Sequence, residues 1–285
     1  LTRIGATAML QARAMAPEPL RNRWDAVGVA WRDTHPHRLW RRHSDAVNHA
    51  LFARWLSAAP VARLLKTDVF DEAVSGGLYG LLHGRARTLV GIDIAPVILR
   101  EAGRGHPELL RSCADVRALP FAGDTFDVVV SNSTLDHFDS LEEIRTGLRE
   151  IHRVLRADGR LLITLDNGRN PMVALRNALP LRLLQWLGLV PYQVGATCGP
   201  SRFARLLRET GFALARVDTV MHCWRVLAVA LAGLVERRAG AKGQLRFLRH
   251  LGEWERLGRW PTRFLTGHFI AFEAVKSVRM HADPR

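Results

Sequence analysis

Residues 88–131 read TLVGIDIAPVILREAGRGHPELLRSCADVRALPFAGDTFDVVVS, and this stretch decides the fold. Two apolar runs, Thr88–Ile94 and Phe126–Ser131, are too short for helices and rich in β-branched residues, so both read as strands. Phe126–Ser131 is almost continuously apolar, as expected of a strand buried on both faces. Between them, Pro96 suits the first turn of a helix running to about Leu110, its end weakened by Gly103 and Gly105. Ser112–Asp115 is a further short strand.

The alternation continues on both sides. Upstream, Val61–Thr67 reads as a buried strand. Asp68–Gly77 is a loop, acidic first and Gly-rich last, and Leu78–Leu82 begins a helix. Downstream, Ser140 and Glu143 form a capping box for a helix with Ile144, Leu148, Ile151 and Leu155 on one side. Asp158-Gly159 turns the chain into a fifth strand, Arg160–Asp166. Ser201 is expected to cap a helix that Gly211 ends, followed by strands Phe212–Val220 and His268–Lys276. Strands alternating with helices imply an α/β fold: a doubly wound, mostly parallel seven-stranded sheet. Residues 1–57 form an N-terminal helical segment, in which Ser44 is expected to cap a helix carrying Val47, Leu51 and Trp55. Residues 58–285 form the α/β domain. Its helical insertions at 167–200 and 221–266 are too long for plain loops. They are expected to cap the substrate, because ligands of such sheets bind beyond the carboxyl ends of the strands.

Composition excludes disorder and coiled coil: 48% of the residues are hydrophobic and 24% charged. A net charge of +14 favours anionic partners, although only three of the 41 basic residues are lysine and the arginines are scattered. Cys113, Cys198 and Cys223 stand far apart, which fits a reducing, cytoplasmic compartment rather than a disulfide framework. The first 20 residues lack the apolar core of a signal peptide. The apolar run Val226–Val235 is too short to span a bilayer. With Trp224, Arg237, Arg238, Trp254 and Trp260 it suggests peripheral contact with an anionic membrane. His35, His37 and His43 cluster loosely, but no carboxylate or thiol converges on them and no metal is expected.

Three positions suggest chemistry. Asp93 ends a strand where an acidic side chain can accept both hydroxyls of a ribose, or else cap the next helix. Asp115, in C-A-D-V-R-A-L-P-F, can take an adenine amine while the Val116 N–H faces a ring nitrogen; otherwise it is a turn residue. The run Ser131-Asn132-Ser133-Thr134-Leu135-Asp136-His137-Phe138 opens the sheet edge to a ligand. There His137 is either a general base or a surface residue at a helix start.

The order of these motifs, closed by V-L-R-A-D-G-R-L-L-I-T, resembles the class I S-adenosylmethionine-dependent methyltransferases, specifically the type 11 small-molecule group, from about Val61 to Asp166. The resemblance implies a Rossmann-like methyltransferase fold and S-adenosyl-L-methionine as cofactor. It places Asp93 and Ile94 at the ribose, Asp115 and Val116 at the adenine, and Ser131 and Asn132 along the methyl donor, with the N-terminal segment 1–57 packed over the cofactor site. Asp166, Asn167 and Tyr192 would face a small-molecule substrate, with His137 as catalytic base and Asp136 as second choice. The implied reaction is methyl transfer to an O, N or C nucleophile. One departure is marked. The family ends its first strand with a carboxylate and G-x-G-x-G, whereas here Lys66-Thr67-Asp68-Val69-Phe70-Asp71-Glu72 intervenes and only Gly76 and Gly77 remain. Two readings stay open. In one, Asp68 or Glu72 meets the methionine ammonium and Gly76-Gly77 allow close approach. In the other, cofactor binding is lost and the chain is a non-catalytic scaffold. A membrane-surface lipid methyltransferase is a third alternative. Enzymes that modify nucleic-acid bases usually carry an Asn/Asp-Pro-Pro-aromatic tetrad after strand four, so Ser131-Asn132-Ser133-Thr134 argues against nucleic acid.

Overall fold

A computed structural model describes residues 18–34, 37–180 and 195–277. Two helices come first, α1 (Glu18–Thr34) and α2 (Arg38–Trp55). The sheet domain follows with β1 (Val61–Lys66), α3 (Phe70–Val74), α4 (Tyr79–His83), β2 (Ala86–Asp93), α5 (Pro96–Gly105), β3 (Leu110–Cys113) and β4 (Phe126–Asn132). After a 3-10 turn at Leu135–His137 come α6 (Leu141–Val154), β5 (Leu155–Asp166), α7 (Pro171–Ala178), α8 (Pro200–Glu209) and β6 (Phe212–Val220). The chain closes with α9 (Arg225–Arg238), α10 (Ala241–Glu253), a 3-10 segment Trp254–Arg259, α11 (Arg263–Thr266) and β7 (Phe269–Lys276).

The seven strands lie in the order β3-β2-β1-β4-β5-β7-β6. β1 to β5 pair in parallel, and β7 runs antiparallel to both of its neighbours. Period-2 alternation assigns each strand residue to a face. Leu64, Leu89, Val128, Val130 and Leu162 share one core with α2, α5 and the buried side of α9. Leu65, Val90, Val129, Leu161 and Ile163 share the other with α6 and α8. The sheet is therefore covered on both sides, as doubly wound folds require. Strand order reverses between β1 and β4, which opens a crevice beyond Lys66 and Asn132.

Local signals explain most boundaries. Ser140 Oγ accepts from the Glu143 N–H at 3.2 Å, and Glu143 returns a bond to the Asp139 N–H at 2.9 Å. Three expectations are corrected. Ser44 is inside α2, which begins at Arg38 behind His37, a residue at φ 60°. Gly199, followed by Pro200, precedes α8 in place of Ser201. β5 begins at Leu155, and the Asp158-Gly159 turn, with Asp158 at φ 59°, lies within it as an irregularity between the Phe126–Leu155 and Val128–Arg160 pairs. Of the two insertions, 167–200 contributes α7, and 221–266 contributes α9 to α11, with α9 and α10 packed on α2.

Candidate active site

The switch point opens into a cleft of about 1200 Å³, counting the part that meets solvent. Its floor is made by the turns after β1 to β4, and its walls by α1, α2 and the start of α9 and β7.

Asp93 ends β2 and is buried. Its Oδ1 accepts from the Ala95 N–H at 2.9 Å and its Oδ2 from the Val69 N–H at 3.2 Å. Burial pushes its carboxyl up to about 7. A carboxylate offers about four lone-pair positions, so each oxygen keeps one for a ligand hydroxyl. Ile94 and Val116 also line the cleft, as does Asp115 one strand away. Asp115 is already engaged: Arg117 Nε and Nη2 contact it at 3.1 and 2.7 Å. Arg117 also pairs with Glu143 and lies over the Phe138 ring at 4.8 Å.

The turn after β1 is held from beneath by Lys66, whose side chain is 2% exposed. Its Nζ lies 2.8 Å from Glu72 Oε2 and donates to the Asp68 carbonyl at 2.7 Å. Burial works against its charge, but Asp68, Glu72 and Asp71 together outweigh that and hold the ammonium well above the usual lysine range. Asp68 reaches the cleft, accepting from Thr134 Oγ1 at 2.5 Å, and Thr134 in turn accepts from Thr67. Asp71 accepts from Arg41 at 2.6 Å and from Asn132 at 3.2 Å. Arg41 lies over Trp31 and Phe70, and its Nε is buried with no hydrogen-bond partner among the described residues.

Several expected residues stand elsewhere. Glu72 is turned away from the cleft, tied to Lys66 and to the Leu78 N–H at 2.9 Å. Gly77, at φ 51°, lets the chain pass Glu72, since a Cβ there would stand 2.6 Å from its Oε1; Gly76 has nothing within 4 Å. Neither glycine lines the cleft. Ser131 is buried beneath it, whereas Asn132 borders it and accepts from Thr164 Oγ1 at 2.8 Å. Asp136 is buried and points inward, accepting from Ser133 Oγ at 2.7 Å and the Asp166 N–H at 3.1 Å. It braces the turn at Ser133, a residue at φ 55°. His137 lines the cleft, its ring 4.8 Å from Trp24 in an edge-on contact. Asp166 pairs with Arg176 at 2.7 Å and with His268 at 3.4 Å. Burial opposes its ionisation, but His268 and Arg176 hold the carboxyl well below the usual range. Asn167 donates to the Phe264 and Gly267 carbonyls at 2.8 Å, pinning the loop before β7. Tyr192 lies outside the described residues.

Sequence reasoning set the N-terminal segment over the site but did not assign Trp24, Trp40, Arg41, Ser44 and Asn48 to the cleft, nor Arg225 and Phe269. The Trp- and Arg-rich composition of residues 21–56 was the available signal. No group of three His, Cys, Asp or Glu among the described residues can hold a metal. His43 is buried, which lowers it to about 4. No helix among the described residues is long and apolar enough to cross a membrane.

Residues 73–163 match the family model described as a methyltransferase domain. A malonyl-[acyl-carrier protein] O-methyltransferase of Halorhodospira halophila is 38% identical over 87 residues, covering 29% of this chain and 28% of that protein. A ubiquinone/menaquinone biosynthesis C-methyltransferase of Paracoccus denitrificans is 28% identical over 64% of this chain and 66% of its own length. The chain thus spans between about a quarter and two thirds of the curated relatives it matches. Among solved structures, an S-adenosylmethionine-dependent methyltransferase from Mesorhizobium loti superposes with a TM-score of 0.53 at 16% identity, covering 79% of this chain and 95% of that one.

Proposed function

The chain carries a methyltransferase domain on a class I methyltransferase fold, and from that premise we propose that it moves a methyl group from S-adenosylmethionine to an O, N or C nucleophile of a small molecule. The observation that carries this reading is the joint placement of Asp93 and Asp115. Asp93 ends β2, Asp115 follows the neighbouring β3 by two residues, and both border one cleft at the sheet's switch point.

The residues fit the cofactor in an altered way. Asp93 keeps a lone pair on each oxygen for the ribose hydroxyls. Arg41, with its orphaned Nε, offers a carboxylate site, and Asp68 and Asp71 offer an ammonium site at the same turn. Side chains here would replace the backbone contacts that a glycine loop provides. When bound, S-adenosylmethionine supplies a methyl group already activated by the positive sulfur. The protein's task is then to orient the acceptor and exclude water. Trp24, Trp40 and Phe269 wall the cleft, and Arg225 stands among them, 3.2 Å from His268 Nε2 and over the Phe269 ring. These groups favour an apolar acceptor bearing an anionic group. His137, which lines the cleft, would take the proton of a hydroxyl acceptor, with Asp136 bracing the turn before it. An amine or activated-carbon acceptor needs no such base.

Calorimetric titration with S-adenosylhomocysteine, beside an Asp93→Ala variant, tests the reading. Micromolar binding abolished by the substitution supports it. A folded wild type that does not bind refutes it and favours the scaffold alternative, whose support is the turn without glycines.

A further inference from the structure

Helix α9 is apolar on two faces: one packs on the core, with Val229 and Val235 beside it, and a second stripe faces outward. Ala228 and Ala232 face the core, whereas Leu227, Leu231 and Leu234, at i, i+4 and i+7, are 52, 40 and 37% exposed. Trp224, just before the helix, is 63% exposed, and Trp260 beyond α10 is 62% exposed. A helix of a soluble protein normally turns its apolar stripe inward, and a contiguous outward one marks an interaction surface.

The charge around the stripe names the partner. Between Met221 and Thr266 there are nine Arg or Lys and three Asp or Glu. Glu236 and Glu255 accept from backbone N–H groups of Leu39, Met221 and His222. Arg237, Arg238, Lys242, Arg246, Arg249, Arg256 and Arg259 are all exposed. We propose that α9, α10 and the segment after them dock the protein on an anionic lipid bilayer. The leucines and tryptophans enter the headgroup boundary and the arginines meet lipid phosphates. A nucleic acid would use the arginines and leave the stripe in water. A second copy of this chain would bring like charges face to face. Arg225, the first residue of α9, lines the cleft, so docking brings the cleft wall to the bilayer surface. The use of a lipid-borne acceptor would rest on the methyl-transfer reading; the docking itself does not.

Flotation of the full chain with phosphatidylcholine vesicles, with and without about 30% phosphatidylglycerol, tests the proposal. Binding is expected only to the anionic vesicles, weakening at least about tenfold between roughly 0.1 and 0.5 M salt. A Leu227→Glu/Leu231→Glu double variant should bind at least about tenfold more weakly with an unchanged unfolding midpoint, since both side chains are exposed. Absence of wild-type binding overturns the proposal. So does undiminished binding by the leucine variant, or a wild-type dimer that the variant dissociates. Titration of the same samples with S-adenosylhomocysteine keeps this outcome separate from that of the cofactor reading.

Discussion

Replacing Lys66 with methionine keeps most of the aliphatic stem and removes the cation beneath the first turn of the site. Glu72, 1% exposed, then loses a partner at 2.8 Å. Leaving one member of a buried pair generally costs about 3–5 kcal/mol. Glu72 has an escape that fixes the figure more closely: it can take up a proton. Its ordinary value is 4.5 and burial already holds it above that in the wild type despite Lys66, so the added cost of holding it neutral at pH 7 is at most about 3 kcal/mol at roughly 1.4 kcal/mol per unit. The sign follows from linkage. In the variant, folded Glu72 keeps its proton above the pH at which the unfolded chain releases it, so stability falls as pH rises from about 4.5 towards neutrality. The loss should therefore shrink to about 1–2 kcal/mol at pH 6 and below 1 kcal/mol at pH 5. Guanidinium unfolding at the three pH values, read by tryptophan fluorescence, gives the profile. Adding Glu72→Gln should recover most of the loss, because an amide can still accept from the Leu78 N–H. A loss under about 1 kcal/mol at pH 7, a pH-independent loss, or no recovery in the double variant would refute the reasoning.

Three further outcomes are expected. Asp93, held up to about 7 by burial, must lose its proton to accept the ribose hydroxyls, so calorimetric affinity for S-adenosylhomocysteine should fall about tenfold per unit below pH 7; a flat profile from pH 5.5 to 8 would count against it. Arg41→Gln should weaken S-adenosylhomocysteine by about ten- to a hundredfold, the worth of a hydrogen bond to a charged group, while leaving methylthioadenosine, which has no carboxylate, unchanged in the same titration. Gly77→Ala should lower stability by about 1–3 kcal/mol in denaturant unfolding, from its left-handed φ and the contact with Glu72, whereas Gly76→Ala should change it by less than about 0.5 kcal/mol.

The sheet was legible because its strands are continuous apolar runs whose ends carry polar residues. Thr88–Ile94 and Phe126–Ser131 fall within two residues of β2 and β4 at either end. Asp93 and Asp115 were legible for the same reason: a carboxylate at a strand's end has a place as soon as the strand has one. Helix starts were less so. α2 opens behind a left-handed His37 with no side-chain cap, and Ser44, which looks like a cap, faces the cleft instead. Gly76-Gly77 drew attention as the remnant of the family's G-x-G-x-G turn, yet Gly77 serves the packing of Glu72. Asp166 and Asn167 follow a strand as ligand groups do, but they turn inward to Arg176 and to carbonyls nearly 100 residues away in sequence. The same distance hid Arg41, whose partner Asp71 is 30 positions off. Only the packing of α2 over the sheet edge brings Arg41 and Asp71 together.

The exchange of glycines for side chains has an electrostatic consequence. A glycine turn offers backbone N–H groups and is blind to whether the bound ligand's sulfur is charged. Here the cleft is lined by Asp68, Asp71, Asp93 and Asp115 against Arg41 and Arg225, with Lys66 and Glu72 cancelling beneath and Arg117 neutralising Asp115. What remains is mildly negative once Asp93 is ionised. Such a surface attracts the sulfonium donor more than the neutral thioether left after transfer, and buried charges feel that difference more than exposed ones. The proton on Asp93 tunes the same balance, since its retention removes one of the negative groups. On the methyl-transfer reading, recognition by side chains would couple the cofactor's charge to the pH of the medium. The Lys66–Glu72 pair holds the turn in place for that coupling. On the proposed reading, the substitution of this loop is a change in how the cofactor is held; on the scaffold reading it is the loss of a site, and the S-adenosylhomocysteine titration separates the two.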